Sequence, residues 1–423
     1  MKKLHIFTSA ACNYVPKVRL LCQSVRKFHP EAVMHLLLAD ELPEGLDLSN
    51  EPFDVITQAK DLGIPDFDAW AFSHSIVELA TAIKPFYLRQ LLARDDCAKA
   101  LYMDPDTVMY SRLDDIVSAL DTANVVLTPH QTDPEDSITG ILDNELSSLK
   151  HGVYNLGFVG VAARDEGRRF AQFWAERCYF FCRSEIHNGI FTDQRWCDLV
   201  PAFFDGVAIS RTARHNTAPW NLSQRALNQR VDGQYMVGEE SLGFYHFTGF
   251  DSGAHFVATA KILAKNPAVS ELIGWYQRSI AELAKDPLSQ TPWRYGTFSD
   301  GTPITKAQRF LYRQRQDLQR AFPKPFDASQ GGLKAWLLNQ GTVEYPALFA
   351  AETAARTMAD MSADVGLVFD PKGLARRESV AKQLWQSAAS PAAAATLVGR
   401  GIAVLRNEGL AGLRRRLAGR PLI

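Results

Sequence analysis

The sequence predicts an α/β protein built on a mostly parallel sheet with helices on both faces. Strand-like and helix-like segments alternate over the first 250 residues, which is the pattern of consecutive strand–helix–strand units. One apolar run, 100–103, is typical of a buried strand and ends at two carboxylates, Asp104 and Asp106. After about Asp251 the pattern becomes helical, so we expect a sheet domain followed by a helical region.

The predicted elements alternate in chain order. Strands are expected at residues 5–8, 33–39, 55–56, 100–103 and 125–128. Helices are expected over residues 15–28 and 73–93, the second interrupted near Pro85. Ligands of such sheets bind beyond the carboxyl ends of the strands, so the loop 8–14 and the Asp104 turn are expected at the same edge.

At 423 residues the chain is long enough for more than one domain. We expect a sheet domain over 1–255, a helical extension of it over 256–304, and a helical C-terminal region over 305–423. Within that region, 402–417 places leucines on one stripe beside a run of three arginines. Such a basic helix is typical of peripheral contact with an anionic membrane surface. A solvated helix end, or a contact between copies in a homo-oligomer, fits the same pattern.

Composition narrows the class of protein. The hydrophobic fraction of 46% and charged fraction of 22% are ordinary for a globular chain, and a net charge of -1 gives no argument for nucleic-acid binding. No apolar run is long enough to span a membrane, and the run 4–7 is too short for a signal peptide. We therefore expect a cytoplasmic protein, at the inner face of the membrane if the basic helix binds lipid. The six cysteines show no metal-type spacing and are expected to be buried thiols.

Asp104 and Asp106 carry the most informative chemistry. Residues two apart on an extended chain point the same way, so both carboxylates can reach one ligand. Two converging carboxylates repel each other unless a cation lies between them. Mg²⁺ or Mn²⁺ takes such carboxylates together with phosphate oxygens, which indicates a diphosphate-bearing substrate. A second triplet, Asp66 to Asp68, follows no strand and is interpreted as a loop.

Four further polar islands follow in a fixed order. Each combines side chains suited to ligand binding with aromatic or glycine neighbours. They are Asn155 with Gly157, Asp193 with Gln194, Trp220 with Asn221, and His246 with Gly249.

Taken together, these motifs resemble those of GT-A glycosyltransferases. The order Asp-x-Asp, Asn-x-Gly, Asp-Gln, His-x-x-Gly is similar to that of the retaining family that contains glycogenin and the bacterial lipopolysaccharide galactosyl- and glucosyltransferases. The resemblance covers roughly residues 3–255, which would be the catalytic domain. It implies that Asp104, Asp106 and His246 bind Mn²⁺ or Mg²⁺. His255, nine residues further on, is a competing candidate for the third ligand.

The resemblance also implies roles at the donor sugar and the nucleotide. Asp193 would hydrogen-bond the sugar hydroxyls and Gln194 would lie near the reacting carbon, which makes this pair the catalytic candidates. The donor-binding candidates implied by the resemblance are Thr8, Asn13, Tyr14, Asp104, Asn155 and Gly157.

One departure from the family concerns the diphosphate. The family usually has a lysine after the His-x-x-Gly motif, whereas Gly249 is followed here by Phe250 and Asp251. Lys84 or Arg89, on the helix before the Asp104 strand, could supply that positive charge.

For three further residues, the sequence allows more than one role. Trp220 and Asn221 belong to an acceptor site or to the core, and Arg225 is structural or solvated.

The expected function is a metal-dependent glycosyltransferase of bacterial polysaccharide synthesis. It would move a sugar from a nucleotide-diphosphate donor to a glycan or lipid-linked acceptor, with retention of configuration. An inverting enzyme would need a general base, for which Asp193 or Asp251 are candidates. A nucleotidyltransferase would normally carry a glycine-rich loop, and 8–14 contains no glycine. A catalytically degenerate domain serving as a binding or scaffold protein is the non-enzymatic alternative.

Overall fold

The structure of the protein is a computed structural model that describes residues 3–263 and 265–363. The strands of that part, in chain order, are β1 (Lys3–Ala10), β2 (Val33–Leu38), β3 (Val55–Gln58), β4 (Cys97–Met103), β5 (Thr107–Met109), β6 (Val125–Pro129), β7 (Tyr154–Ala162), β8 (Ser184–Glu185), β9 (Ile190–Phe191), β10 (Val207–Ile209), β11 (Leu227–Gln229), β12 (Tyr235–Val237), β13 (Glu240–Ser241) and β14 (Phe244–His246).

The α-helices of the same residues are α1 (Val15–Phe28), α2 (Phe67–Phe72), α3 (Ile76–Ala82), α4 (Lys84–Leu92), α5 (Asp114–Ala119), α6 (Ile138–Gly140), α7 (Leu146–His151), α8 (Asp165–Phe181), α9 (Val200–Phe203), α10 (Ala254–Leu263), α11 (Pro267–Leu283), α12 (Lys306–Gln314), α13 (Gln316–Ala321), α14 (Leu333–Trp336), α15 (Thr342–Glu344), α16 (Pro346–Phe349) and α17 (Ala354–Ala363). A π-helical segment, Ile141–Glu145, joins α6 to α7.

Seven strands form the central sheet in the order β10-β6-β7-β4-β1-β2-β3. Neighbouring strands are parallel except for β7, which runs antiparallel to both β4 and β6. The predicted α/β fold with a mostly parallel sheet is therefore confirmed. Because β7 runs the other way, its first residues lie at the edge where β4 and β6 end.

Helices cover both faces of this sheet, as alternating residues of β1 show. Phe7 packs in a cluster with Phe86 of α4 and Trp174 of α8 on one face. Ile6 packs with Leu21 of α1 and belongs to a second cluster on the other face. β1 is therefore a central strand that is covered on both faces, as expected for a parallel sheet between two layers of helices.

The helical stretch predicted over 73–93 is two helices, α3 and α4. Ser75 begins α3 with a capping box, since its hydroxyl accepts from the Glu78 amide and the Glu78 carboxylate accepts from the Ser75 amide. Pro85 lies in the first turn of α4, where its missing amide hydrogen costs nothing. The Asp66–Asp68 triplet, expected in a loop, instead introduces α2, and the Asp66 carbonyl accepts the first helical hydrogen bond at 3.0 Å.

A two-stranded ribbon carries the end of the sheet domain back to the Asp104 turn. β14 pairs antiparallel with β5, which sets His246 opposite Thr107. Helix α11 packs on this ribbon, and the ring of Tyr276 stacks on Phe247 at 3.8 Å between ring centres. The ribbon therefore fixes residue 246 beside residue 106.

The helices after residue 305 share a core with the sheet domain. Phe72 of α2 packs with Phe298, Leu311 and Tyr312, so this part of the chain is anchored on α2. The predicted basic helix over 402–417 lies outside the described residues.

Two global expectations can be compared with the described residues. Within them, no helix combines the length and apolar character needed to cross a bilayer. All six cysteines are buried there, and no disulfide joins any two of them.

Candidate active site

The carboxyl edge of the sheet gathers three metal-type side chains. Asp104 and Asp106 lie on the turn between β4 and β5, and His246 ends β14. Their ligand atoms all lie within 4.8 Å of one another. The Nε2 atom of His246 is 3.2 Å from Oδ1 of Asp106 and 3.7 Å from Oδ2 of Asp104. Two carboxylates and one imidazole, with room for further oxygen ligands, suit Mn²⁺ or Mg²⁺.

Gly157 makes room for the histidine of this group. The Asp104 amide donates to the Gly157 carbonyl at 2.8 Å, which ties β7 to the metal turn. A Cβ atom at position 157 would lie 2.7 Å from Nδ1 of His246, closer than side chains approach. The glycine predicted at the donor site is therefore required by the imidazole ring, and the cradle it forms fits a histidine aimed at Asp104 and Asp106.

Asn216 orients that imidazole, and sequence reasoning did not single it out. Its Oδ1 atom lies 3.3 Å from Nδ1 of His246, so it accepts from an Nδ1–H tautomer and leaves Nε2 facing the carboxylates. Its amide nitrogen donates to Thr128 at 2.9 Å and to Asn155 at 3.0 Å. The residue is fully buried with a φ of 55°, a left-handed conformation that asparagine tolerates. An asparagine just before the Trp220 island was the only sequence signal for it.

Asn155 and Gln194 continue this chain of buried amides. The Oδ1 atom of Asn155 accepts from the Gly157 amide at 3.0 Å, and its Nδ2 atom donates to Gln194 at 3.3 Å and to His130 at 3.2 Å. Gln194 in turn accepts from the Leu156 amide at 2.9 Å and donates to a backbone carbonyl at 3.0 Å. Both side chains border the cavity, but their hydrogen-bonding groups hold β7 and the Asp193 segment in place.

Lys84 lies inside the site, whereas Arg89 does not. The Nζ atom of Lys84 is 3.1 Å from Oδ1 of Asp104 and 3.4 Å from Oδ2 of Asp193. Burial lowers the pKa of Lys84, but the two carboxylates more than offset this and hold it above its usual value. Arg89, five residues further along α4, faces α8 and donates to Gln172 at 2.9 Å. Of the two cations that the sequence suggested, Lys84 is therefore the one that lies beside the possible metal ligands.

Asp193 is a buried carboxyl on the opposite side of Lys84. Burial raises its pKa to about 6, with Asp104 adding to the rise and Lys84 opposing it. The residue before it, Thr192, has a φ of 45° and donates its hydroxyl to Oδ1 of Asp193 at 3.2 Å. A strained backbone at this point is held by the surrounding fold and aims the carboxyl into the cavity.

The first loop contributes two of its three candidates. Asn13 and Tyr14 line the cavity, and the Tyr14 hydroxyl donates to Asp251 at 3.0 Å. Lys17 forms an ion pair with the same carboxylate. Thr8 lies elsewhere: it is fully buried within β1 and does not line the cavity, because its side chain points to the face opposite its neighbour Ser9, which does.

One cavity of about 1530 Å³ is bordered by most of the candidate residues, namely Asn13, Tyr14, Lys84, Asp104, Asp106, Asn155, Gly157, Asp193, Gln194 and His246. Its wall includes the segment 137–151, which presents serines and acidic or amide side chains inward and which the sequence did not reveal as part of the site. The π-helical stretch Ile141–Glu145 lies in this segment, and such stretches are frequent at functional sites. Another part of the wall is apolar and includes Val77 of α3 and Val257 of α10.

Of the remaining candidate residues, two line the cavity and two are buried in the core. His255 and Trp220 line the cavity, although the group of possible metal ligands found within the described residues does not include His255. Asn221 is fully buried and its amide donates to backbone carbonyls, so it is structural. Arg225 is also buried and donates to the Ala213 carbonyl at 3.2 Å, which makes it a structural cation.

Comparisons with known proteins give distant relatives. No known family profile matches the chain. It is 26% identical over 255 residues to the uncharacterised protein YfnD of Bacillus subtilis strain 168, across 59% of this chain and 79% of that protein.

Solved structures are similar only at low scores. An active-site mutant of LgtC has a TM-score of 0.36 at 17% identity, covering 58% of this chain and 87% of that one. The galactosyltransferase LgtC with donor and acceptor sugar analogs gives 0.38 at 16%, covering 67% and 97%. Mouse xyloside xylosyltransferase 1 gives 0.34 at 12%, covering 59% and 98%. Scores this low leave the function to be argued from the site itself.

Proposed function

We propose that the protein is a metal-dependent glycosyltransferase that moves a sugar from a nucleotide-diphosphate donor to an acceptor hydroxyl. One observation carries this proposal: the cavity places Asp104, Asp106 and His246 within 4.8 Å of one another, with a buried ammonium group beside them. These side chains suit a divalent cation that is bound together with a diphosphate, because the cation neutralises much of the negative charge of the diphosphate.

In this proposal the metal and Lys84 both stabilise negative charge on the leaving group. Mn²⁺ or Mg²⁺ bound by the three side chains would supply Lewis-acid neutralisation of charge on the departing diphosphate. Lys84 contributes a fixed positive charge next to Asp104 and replaces the lysine that the motif after Gly249 lacks. Because Lys84 is buried and paired, it is already in place before the substrate arrives and does not have to be reoriented.

The donor is expected to lie between the first loop and Asp193. Tyr14 offers a ring at the cavity wall for stacking on the nucleobase, and Asn13 offers an amide beside it. Asp193 offers a carboxyl oxygen to the sugar hydroxyls, while Gln194 and Asn155 hold its segment against β7. The role of Gln194 in this proposal is therefore that of a positioning residue near the reacting carbon.

The acceptor is expected to carry an apolar part. Val77 is 66% exposed and Val257 is 80% exposed, yet both border the cavity. Exposed valines give a nucleotide sugar no hydrogen bonds, so they favour a lipid-linked acceptor over a fully polar glycan. The outer side of the segment 137–151 adds Ile138, Leu142 and Leu149, all more than half exposed. A lipid-linked acceptor fits a role in bacterial polysaccharide synthesis.

Retention of configuration is the stereochemistry we propose. An inverting enzyme needs a carboxylate free to take the acceptor proton. Of the two candidate bases, Asp251 is paired with Tyr14 and Lys17, and Asp193 has the role of binding the sugar hydroxyls in this proposal. Attack from the donor face, assisted by the leaving phosphate, requires no such base. The anomeric configuration of the product, read by NMR, tests this directly.

The test of the proposed function is a donor screen with a matched control. Wild-type protein is offered UDP-, GDP- and TDP-sugars with Mn²⁺, and hydrolysis and thermal stabilisation are measured. Asp104→Asn/Asp106→Asn should abolish both responses, because two of the three metal ligands are lost. Asp66→Asn/Asp68→Asn alters the chain's other Asp-x-Asp triplet, outside the cavity, and should leave both responses intact.

The outcomes separate the alternatives. Turnover or stabilisation by one donor, lost only in the Asp104/Asp106 variant, supports the proposal and names the sugar. Release of inorganic pyrophosphate from a nucleoside triphosphate would favour the nucleotidyltransferase alternative. Folded protein that is unresponsive to every donor, with and without lipid acceptors, would favour a binding or scaffold role.

A further inference from the structure

A second cavity lies between α2, the end of α8 and the pair α12–α13. It has a volume of about 460 Å³ and shares no lining residue with the first cavity. Arg183, Arg313 and Arg320 line it together with three glutamine amides. The carboxylate among its lining residues belongs to Asp66. A concave surface so rich in donors is suited to an anion.

Two buried donors at this cavity have no acceptor among the described residues. They are the Nε atom of Arg313 and the Nε2 atom of Gln314. A buried donor without a partner loses its hydration and gains nothing in return. Both side chains line the cavity, so an oxyanion bound there would lie beside them.

The three arginines at the cavity differ in how they are paired. The Nε atom of Arg183 lies 2.9 Å from Glu185, and Arg313 lies 3.4 Å from Glu185 and 3.6 Å from Glu78. Arg320 also lines the cavity, but it forms no ion pair with a carboxylate of the described residues, so its charge is available to a ligand.

Another part of the wall is aromatic. The rings of Trp70 and Tyr179 stack at 6.1 Å with planes 10° apart, and both residues border the cavity beside Phe180. His74 lies among them, and burial lowers its pKa to about 4, so it is neutral at pH 7. An aromatic wall next to guanidinium groups accommodates an organic body that carries one charged group.

We propose that this cavity is a second binding site, for a small organic anion whose phosphate or carboxylate group is held by Arg313, Arg320 and Gln314. The site is independent of the donor site and would be present whatever the donor sugar is. Arg320 is the exposed member of the set, so it can be changed without opening the core.

The experiment measures binding of inorganic phosphate and of acetate to the full chain by calorimetry and thermal shift. EDTA is present, so that no metal bridges phosphate to the first cavity. Phosphate or acetate should stabilise the wild type, and whichever binds more tightly identifies the charged group of the ligand. Arg320→Ala should weaken binding about tenfold, the loss of one charge-assisted contact, and Arg320→Glu should abolish it.

Two further variants are controls for anion binding outside the second cavity. Arg356→Ala removes a highly exposed arginine on α17 and should leave binding unchanged. Lys84→Met removes the cation of the first cavity and should also leave it unchanged. The proposal is overturned if neither anion binds, if Arg320→Glu binds as the wild type does, or if only Lys84→Met loses binding. None of these results depends on finding the donor sugar.

Discussion

The ammonium group of Lys84 lies 3.1 Å from the Oδ1 atom of Asp104, at the start of α4 and the end of β4 respectively. The contact brings a helix residue to a metal-type carboxylate twenty positions further along the chain. It is possible because α4 runs directly into β4 through a short turn, so the start of the helix lies above the strand's carboxyl end. The ammonium group of Lys84 therefore lies directly beside the proposed metal site.

Replacing Lys84 tests whether this ammonium group contributes to donor binding and to stability. Lys84→Met should lower donor affinity by at least about tenfold, because a charge beside the diphosphate is lost. It should also lower the free energy of unfolding by about 3–5 kcal/mol, since Asp193 keeps a buried carboxyl without its cation. Calorimetry with the donor and urea unfolding give the two numbers. Arg89→Met, on the same helix but facing Gln172, is the control and should keep wild-type donor affinity.

Adding a methyl group at position 157 should disturb the histidine ligand. In Gly157→Ala the new Cβ atom would meet the imidazole of His246, so the ring must turn away. We expect Mn²⁺ affinity, measured by calorimetry without any substrate, to fall about tenfold or more.

Gly160→Ala is the matched control on the same strand. There the added Cβ atom would lie 3.1 Å from a methyl group of Leu101 and 3.2 Å from one of Leu120, so the crowding falls on the core and not on His246. Its Mn²⁺ affinity should equal that of the wild type. Equal losses in the two variants would mean that β7, rather than the ring, had been perturbed.

Asn216 should matter through His246. Asn216→Ala removes the acceptor for Nδ1 and places alanine at a left-handed φ, which costs about 1–2 kcal/mol. Mn²⁺ affinity is expected to fall about 10–100-fold. Asn216→Gly removes the same amide without the backbone strain, so it should lose as much affinity and less stability. If the glycine variant binds Mn²⁺ normally, Asn216 is only a structural residue.

A pair of histidines in the core should make stability depend on pH. Nε2 of His35 lies 2.8 Å from Nδ1 of His5, and Nδ1 of His35 lies 2.8 Å from the Tyr87 hydroxyl. Burial, reinforced by the charge of His5, lowers the pKa of His35 to about 3.

The sign follows from comparing the folded and unfolded states. An unfolded histidine takes up a proton near pH 6.5, whereas His35 in the folded protein does so only near pH 3. Between those values the free energy of unfolding should fall as the pH falls, by up to about 1.4 kcal/mol per pH unit. Urea unfolding at a series of pH values measures this slope, which His35→Gln should reduce.

The sequence by itself determined the fold class and the chemistry of the metal turn. Strand and helix periodicities are local, and the two carboxylates converge because residues two apart on an extended chain share a side. Those features need no knowledge of distant contacts.

The tertiary structure decided which other side chains join them. β7 runs antiparallel within the sheet, and only this brings Asn155 and Gly157 to the edge where Asp104 lies. The β5–β14 pairing sets His246 opposite Thr107, and Asn216 reaches the ring through a fold contact thirty residues away in sequence. Strand order and helix rotation set these contacts through packing over long separations. For the same reason, the sequence could not choose between Lys84 and Arg89, nor show that the Asn155 and Gln194 amides bond to the protein itself.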